Sequence, residues 1–417
     1  MSLNTSPSAN RIHIGIFGKR NAGKSSVINA ITGQNLAIVS PRKGTTTDPV
    51  QKAMELLPLG PVVIIDTPGL DDDGDLGELR VEKAYQVLRK VDIALLVIDA
   101  TLGVTSYDLD ILEKIKEKKI PVIAAINKYD LLTDNDHDEK NTYANESIDT
   151  IKLIDAGADK ISILHISTKT NHNIEALKDL LAKKAKPLLD SKPLVKDLIT
   201  QSDFVILVTP IDESAPKGRL ILPQQQVIRE IIECGATAIV VQETKLQDTL
   251  DGLRKAPALV ITDSQVFKEV DNIVPSIIPL TSFSILFARY KGNLEQLVGG
   301  TTALDSLNDE DHILISEGCT HHRQCNDIGS VKLPNWISAH SKKKLHFHFT
   351  SGTEFPDDLT KYKLIVHCGG CVLNEREMQH RLEVAKSHNI PMTNYGTAIA
   401  HMNGILERSL VFMYTGR

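Results

Sequence analysis

Over the first 180 or so residues, short β-rich apolar runs alternate with amphipathic stretches of helical period. The runs are Ile12 to Phe17, Val62 to Ile65, Ile93 to Ile98, Val122 to Ile126 and Ile161 to Ile166. This alternation predicts a parallel sheet with helices on both faces. From Lys183 to Pro193 the chain turns Lys- and Pro-rich, which predicts a linker. A second unit repeats the alternation on a smaller scale: Phe204 to Val208, a helical stretch Gln224 to Glu233, Ala238 to Val241, another helical stretch, and Ala258 to Thr262. A third unit begins near Val274, and its runs Ile313 to Ile315 and Leu364 to Val366 each lead into cysteines. The expected fold class is α/β in three units, residues 1–185, 190–272 and 273–417.

With 417 residues, 41% hydrophobic and 24% charged, the chain has the make-up of a soluble globular protein. A net charge of −6 and a pI near 6.2 give no sign of a general binder of nucleic acid or anionic membrane. Met1 to Asn10 is small and polar, unlike a signal peptide. No apolar run approaches the length of a bilayer span. A cytoplasmic location is expected. The five cysteines, Cys234, Cys319, Cys325, Cys368 and Cys371, are odd in number and mostly C-terminal. That pattern argues against a disulfide framework and makes metal binding worth testing.

Gly18-Lys19-Arg20-Asn21-Ala22-Gly23-Lys24-Ser25 fits the phosphate-binding pattern G-x-x-x-x-G-K-[ST], between a strand and the helical stretch from Ser26. The glycines let the backbone wrap the phosphates, and the amides of Asn21, Ala22, Gly23 and Ser26 are candidates to bind their oxygens. Lys24 would reach the β- and γ-phosphates, and Ser25 would ligate Mg²⁺. Asp66-Thr67-Pro68-Gly69 ends a strand, placing Asp66 to hold Mg²⁺ through water and Gly69 to offer its amide to the γ-phosphate. Asn127-Lys128-Tyr129-Asp130 ends another. A carboxylate at Asp130 accepts two hydrogen bonds from guanine and would go unpaired against adenine, so GTP and GDP are the expected ligands. Ser167-Thr168-Lys169 fits the element that supports the base, with Thr in place of Ala. Each motif alone is weak; four in order at the carboxyl ends of strands are specific.

Gly44-Thr45-Thr46-Thr47-Asp48 resembles the G-T-T-R-D segment of the bacterial GTPases related to Era and to the tRNA-modification GTPase. The resemblance implies that Thr46 ligates Mg²⁺ and senses the γ-phosphate. Thr47 stands where that pattern has Arg, so no role of that Arg carries over. Relatives activated by potassium have Asn at the position of Asn21. A K⁺ site on Asn21 therefore stands beside the plainer reading of an Asn suited to a turn. Neither Leu70 nor Asp71 is the water-orienting Gln of many signalling GTPases. Slow, Mg²⁺-dependent GTP hydrolysis is expected, with Lys24, Thr46 and Gly69 at the reacting phosphate.

Cys319-Thr320-His321 and His367-Cys368-Gly369-Gly370-Cys371 each follow an apolar run, and Asn374 then offers a helix N-cap. Thiolates near a helix N-terminus are stabilised as anions. By residue type, Cys319, His321, Cys368 and Cys371 suit structural zinc as well as three of them suit a 4Fe–4S cluster. This pair of motifs behind a GTPase unit resembles the FeFe-hydrogenase maturation GTPases of the HydF family. So do Pro210-Ile211-Asp212, Ala215 to Leu220 and Thr393-Asn394-Tyr395-Gly396. The resemblance spans essentially the whole chain. It implies a 4Fe–4S cluster on Cys319, Cys368 and Cys371, with His321, His367 or Cys325 as possible fourth ligand. It further implies a dimerising middle unit and a scaffold that carries a di-iron precursor to the FeFe-hydrogenase apoprotein, alongside radical-SAM maturation enzymes. The rival readings are an Era-like RNA-associated GTPase with a zinc-stabilised tail, and a zinc- or nickel-trafficking GTPase. Low charge and no basic segment tell against the first, and the lack of further His/Cys tracts against the second. His346 and His348 read as one polar face of a strand, and Cys234 as a small core residue. Lys217 and Arg219 read as a turn, and Asp71 to Asp73 as a solvated loop.

Overall fold

The computed structural model describes residues 8–33, 50–67, 84–133, 161–189, 192–211, 220–319 and 327–415. The chain divides into two compact units, Met1–Ser191 and Lys192–Arg417.

The first unit is built on six strands: β1 (Ile12–Phe17), β2 (Val50–Leu56), β3 (Gly60–Asp66), β4 (Ile93–Asp99), β5 (Val122–Asn127) and β6 (Ser162–His165). They lie in the order β2-β3-β1-β4-β5-β6. Every neighbour is parallel except β2, which pairs antiparallel with β3. The sheet is buried on both faces because its central strands are apolar throughout. Along β4, Ile93, Leu95 and Val97 feed one core while Ala94, Leu96 and Ile98 feed the other. Strand β2 escaped the sequence pattern. Its sequence Val-Gln-Lys-Ala-Met-Glu-Leu is largely polar, because it is an edge strand facing solvent. The expected linker also starts too early. The helix Ile174–Leu189 runs through Lys183 to Lys186 and includes Pro187. Leu177, Leu181 and Ala185 are buried at four-residue spacing, so those lysines lie along a helix that is anchored by its apolar stripe.

The second unit contains two parallel four-stranded sheets. The first comprises β7 (Phe204–Val208), β8 (Thr237–Val241), β9 (Leu259–Thr262) and β10 (Leu280–Ser282), ordered β10-β9-β7-β8. The second comprises β11 (His312–Glu317), β12 (His346–Ser351), β13 (Leu364–His367) and β14 (Met392–Asn394), ordered β12-β11-β13-β14. Strand β10 lies beyond the boundary expected at residue 272, and at three residues it is too short to carry a periodic signal. One core takes Ile206 and Val260 from the first sheet and Leu314 and Ile365 from the second, which welds the two into one unit. Among the described residues no helix is long and apolar enough to cross a membrane.

Candidate functional site

Strand β1 leads directly into the phosphate-binding turn. The backbone there is one that side chains rarely tolerate: Gly18 has φ of 139° and Gly23 of 94°. A Cβ at Gly18 would lie 2.2 Å from the Val97 carbonyl oxygen, and one at Gly23 would lie 2.3 Å from Asn127 Nδ2. The two glycines are therefore required by close approach as well as by φ. Lys24 opens the helix Lys24–Thr32 and is buried, its Nζ donating to the Gly18 and Lys19 carbonyls at 2.7 and 2.8 Å. Asn21 adopts φ of 62°, so the turn itself accounts for an Asn at this place. Asp66 ends β3. Its Oδ1 is buried with no hydrogen-bond partner among the described residues, and burial pushes the carboxyl up to about 6 against the pull of Lys24. A buried carboxylate oxygen left over beside a phosphate-binding lysine fits a water-held Mg²⁺.

The base-reading motifs meet across the ends of β5 and β6. Asn127 Nδ2 donates to the Ala22 carbonyl at 3.0 Å, tying the base site to the phosphate turn, and Thr168 N–H donates to Asn127 Oδ1 at 3.4 Å. Ser167 Oγ donates to Asp130 Oδ1 at 2.7 Å, and Lys169 Nζ lies 3.8 Å from Asp130 Oδ2. Thus Ser167 holds the Asp130 carboxylate in place. Lys128, at φ of 65°, pairs with Asp99 at the end of β4. Burial would raise the Asp99 carboxyl, but the hydrogen bonds from Lys128 and Thr101 outweigh it and hold the group below its usual range. The sequence reading missed Asp99, because its partner lies 29 residues away. Tyr129 stacks on His172, with ring centroids 5.8 Å apart. Thr46, Thr47, Gly69, Leu70 and Asp71 to Asp73 lie outside the described residues.

The cysteine motifs occupy the carboxyl edge of the last sheet. Ser316 of β11 is in register with His367 of β13, so Cys319 and Cys368 emerge from adjacent parallel strands. The chain places β12 on one side of β11 and β13 on the other, so the two cysteines sit at the switch point of the sheet. Cys368 Sγ accepts from the Gly318 N–H at 3.1 Å and the Gly370 N–H at 3.4 Å. A hydrogen bond from Cys319 holds Cys368 well below the usual thiol range and, reciprocally, holds the Cys319 thiol far above it. Cys371 is pushed up to about 11 by burial and by the charge on Cys368. Three cysteines thus gather at one place, a donor set suited to a soft cation or cluster. Asn374 caps the following helix Glu375–Ser387, accepting from the Glu377 N–H at 3.1 Å.

Two buried cations brace this edge. Lys291 ends the helix Phe283–Lys291 and donates to the carbonyls of Gly370, Cys371 and Leu373 at 3.3, 2.9 and 2.7 Å. Burial lowers its ammonium to about 8 while the Cys371 and Cys368 charges pull it back up. Arg381, fully buried, donates to Glu377 Oε1, Ser316 Oγ, His367 Nε2 and the Gly352 carbonyl. His367 Nδ1 lies 2.7 Å from the Cys368 carbonyl oxygen, which can only accept. Both His367 nitrogens are therefore engaged, Nδ1 as donor and Nε2 as acceptor. His367 thus stands beside Cys368, held between Arg381 and the Cys368 carbonyl. His321 and Cys325 lie outside the described residues, as do Lys217 and Arg219. Thr393 to Gly396 proves to be a strand end and helix start. Asn394 Nδ2 and the Gly396 N–H bind Ser284, at the start of the helix that ends in Lys291.

Residues 194–292 match the family model for the hydrogen maturase F dimerization domain, and residues 295–412 match that for its tetramerization domain. The chain belongs to the hydrogen maturase F family. Residues 13–128 match the 50S ribosome-binding GTPase model. The tRNA modification GTPase MnmE of Clostridioides difficile is 33% identical over 165 residues, 39% of this chain and 32% of that one. The GTPase Der of Microcystis aeruginosa is 33% identical over 180 residues, 42% of this chain and 38% of that one. The chain thus spans about a third of the length of these curated relatives. Among solved structures, Era of Aquifex aeolicus is 23% identical, with a TM-score of 0.34 over 58% of this chain and 98% of that one. As a member of the hydrogen maturase F family the chain is a GTPase that uses GTP, GDP and Mg²⁺, and it is built to form oligomers.

Proposed function

We propose that the chain is a GTPase and iron–sulfur scaffold or carrier, assembling or delivering the di-iron precursor of the active-site cluster to FeFe-hydrogenase. The observation that carries the reading is the convergence of Cys319, Cys368 and Cys371 on one sheet edge, backed by a fully buried Arg381 and by Lys291. These cysteines would hold a 4Fe–4S cluster, which supplies a metal site to which a precursor can attach. The fourth position then falls to His321, His367, Cys325 or the precursor itself. Partners are the apo-hydrogenase and radical-SAM maturation enzymes. In the GTPase unit, Lys24, Thr46 and Gly69 bind the γ-phosphate, Ser25, Thr46 and Asp66 hold Mg²⁺, and Asp130 reads the base. GTP turnover acts as a switch on partner contacts or release rather than as a drive for cluster chemistry.

Anaerobic reconstitution with iron and sulfide, followed by EPR of the reduced protein, tests the scaffold. An S = ½ signal lost in Cys368→Ala is expected. A colourless protein holding one zinc would instead leave a GTPase with a structural metal tail. We also propose a K⁺ site on Asn21, to be read from GTPase rates in K⁺ and Na⁺; equal rates would remove it.

A further inference from the structure

Away from both sites, three ligand-type side chains converge from separate elements of the second unit. Asp305 stands in the 3₁₀ turn Gly300–Ser306, His340 near the end of the helix Leu333–Ser341, and His401 near the end of the helix Tyr395–Met402. His340 Nε2 lies 2.8 Å from Asp305 Oδ1, and His401 Nε2 lies 2.9 Å from Oδ2. The two histidines are 35 and 96 residues from the aspartate, so the trio is a product of the fold. One core fixes all three elements from beneath: Leu304 precedes Asp305, Ile337 lies one turn before His340, and Ile399 lies just before His401. The imidazoles are 27% and 22% exposed, while the carboxylate is 54% exposed. The constellation is therefore half-sheltered, with solvent access past the aspartate.

We infer that Asp305, His340 and His401 form a binding site for a divalent first-row transition-metal ion, separate from the thiol site. The ligand atoms all lie within 4.8 Å of one another. Around a tetrahedral ion with bonds of about 2.0–2.2 Å, ligand atoms stand about 3.3 Å apart. Opening the present contacts by roughly half an ångström therefore admits the ion. Each neutral imidazole then offers its Nε2 lone pair and keeps its one proton on Nδ1. Two imidazoles with one carboxylate select Zn²⁺, Fe²⁺, Co²⁺ or Ni²⁺ over Mg²⁺ or Ca²⁺. Three protein ligands leave a position for water, as in open rather than closed sites.

The test is a Co²⁺ titration of the full-length chain carrying Cys368→Ser and Cys371→Ser, which remove two thiols of the competing site. Cobalt on nitrogen and oxygen shows visible ligand-field bands, whereas cobalt on thiolate adds a near-ultraviolet charge-transfer band. The expected result is saturation of ligand-field bands by a single ion, without the charge-transfer band and with no competition from excess Mg²⁺. Loss of an outer-shell partner alone costs about tenfold or more in affinity, so loss of a ligand in His401→Gln must cost at least that. Gln keeps a donor for Asp305, which preserves the hydrogen bond while removing the ligand. His340→Gln repeats the test from the other helix, should the first variant fold poorly. Unchanged Co²⁺ affinity and stoichiometry in either folded Gln variant would reduce the trio to a hydrogen-bonded triad and overturn the proposal.

Discussion

Asp66 shows what burying a carboxylate costs. Its folded value of about 6 lies above the usual carboxylate value of about 4, so the folded protein keeps this proton longer than the unfolded chain does. The stability so contributed is fully present below about pH 4 and is lost as pH rises to about 6. Two pKa units correspond to roughly 3 kcal/mol. In nucleotide- and Mg²⁺-free protein, Asp66→Asn should remove this pH dependence and raise stability at pH 7 by up to about 3 kcal/mol. Urea melts between pH 4 and pH 8 check it. On the proposed role of Asp66 in holding Mg²⁺ through water, GTP turnover, read as phosphate release, should fall by at least about tenfold. A variant no more stable than wild type at pH 7 would mean that another group compensates the buried oxygen. Asp66 was legible in the sequence because D-T-P-G places it at a strand end by local spacing alone.

The turn between β13 and the helix Glu375–Ser387 was legible only in part. Its cysteines, the N-cap Asn374 and the helix after it follow from residues a few positions apart, and the structure has them so. Lys291 and Arg381 were not legible. Lys291 reads as the polar end of an apolar helix, and its three acceptors lie 79 to 82 residues away. Arg381 resembles an exposed helix charge, yet it sits on the apolar stripe with Met378, Leu382 and Ala385, a signal available in hindsight. Such braces depend on tertiary approach, which no local period encodes. Lys291→Met keeps the alkyl stem and strips the donor from carbonyls of which two are bonded in full burial. A buried acceptor left unmade costs about 1–3 kcal/mol. The variant should therefore lose about 3 kcal/mol or more of stability in the second unit. The chain's one tryptophan, Trp336, lies in that unit and reports its unfolding. Iron retained after reconstitution should at least halve, while GTP turnover stays at the wild-type rate. Wild-type iron content with unchanged melting would show the turn to be rigid without its lysine.

At the scale of the whole molecule, the alternation of strands and helices foretold α/β layers throughout, but not how many bodies they make. The sequence suggested three units, because each sheet has its own run of strands. Within that division, Ile206 and Val260 share a core with Leu314 and Ile365, so the last two sheets pack together as one compact body. The GTPase sheet, by contrast, closes its own two cores with residues of the first unit alone. A body with its own complete core can fold alone. Residues 192–417 expressed without the GTPase unit should therefore unfold in one cooperative transition, followed at Trp336, and should bind as much iron per chain as the full protein. The converse cut, inside the shared core near residue 292, should give two fragments that each expose apolar surface and do not fold. Iron loading by 192–417 with no GTPase attached would locate the scaffold wholly in the second unit, leaving GTP turnover to govern when cargo moves. Failure of that fragment to load iron, while it still melts cooperatively, would instead make the GTPase unit a working part of the metal site.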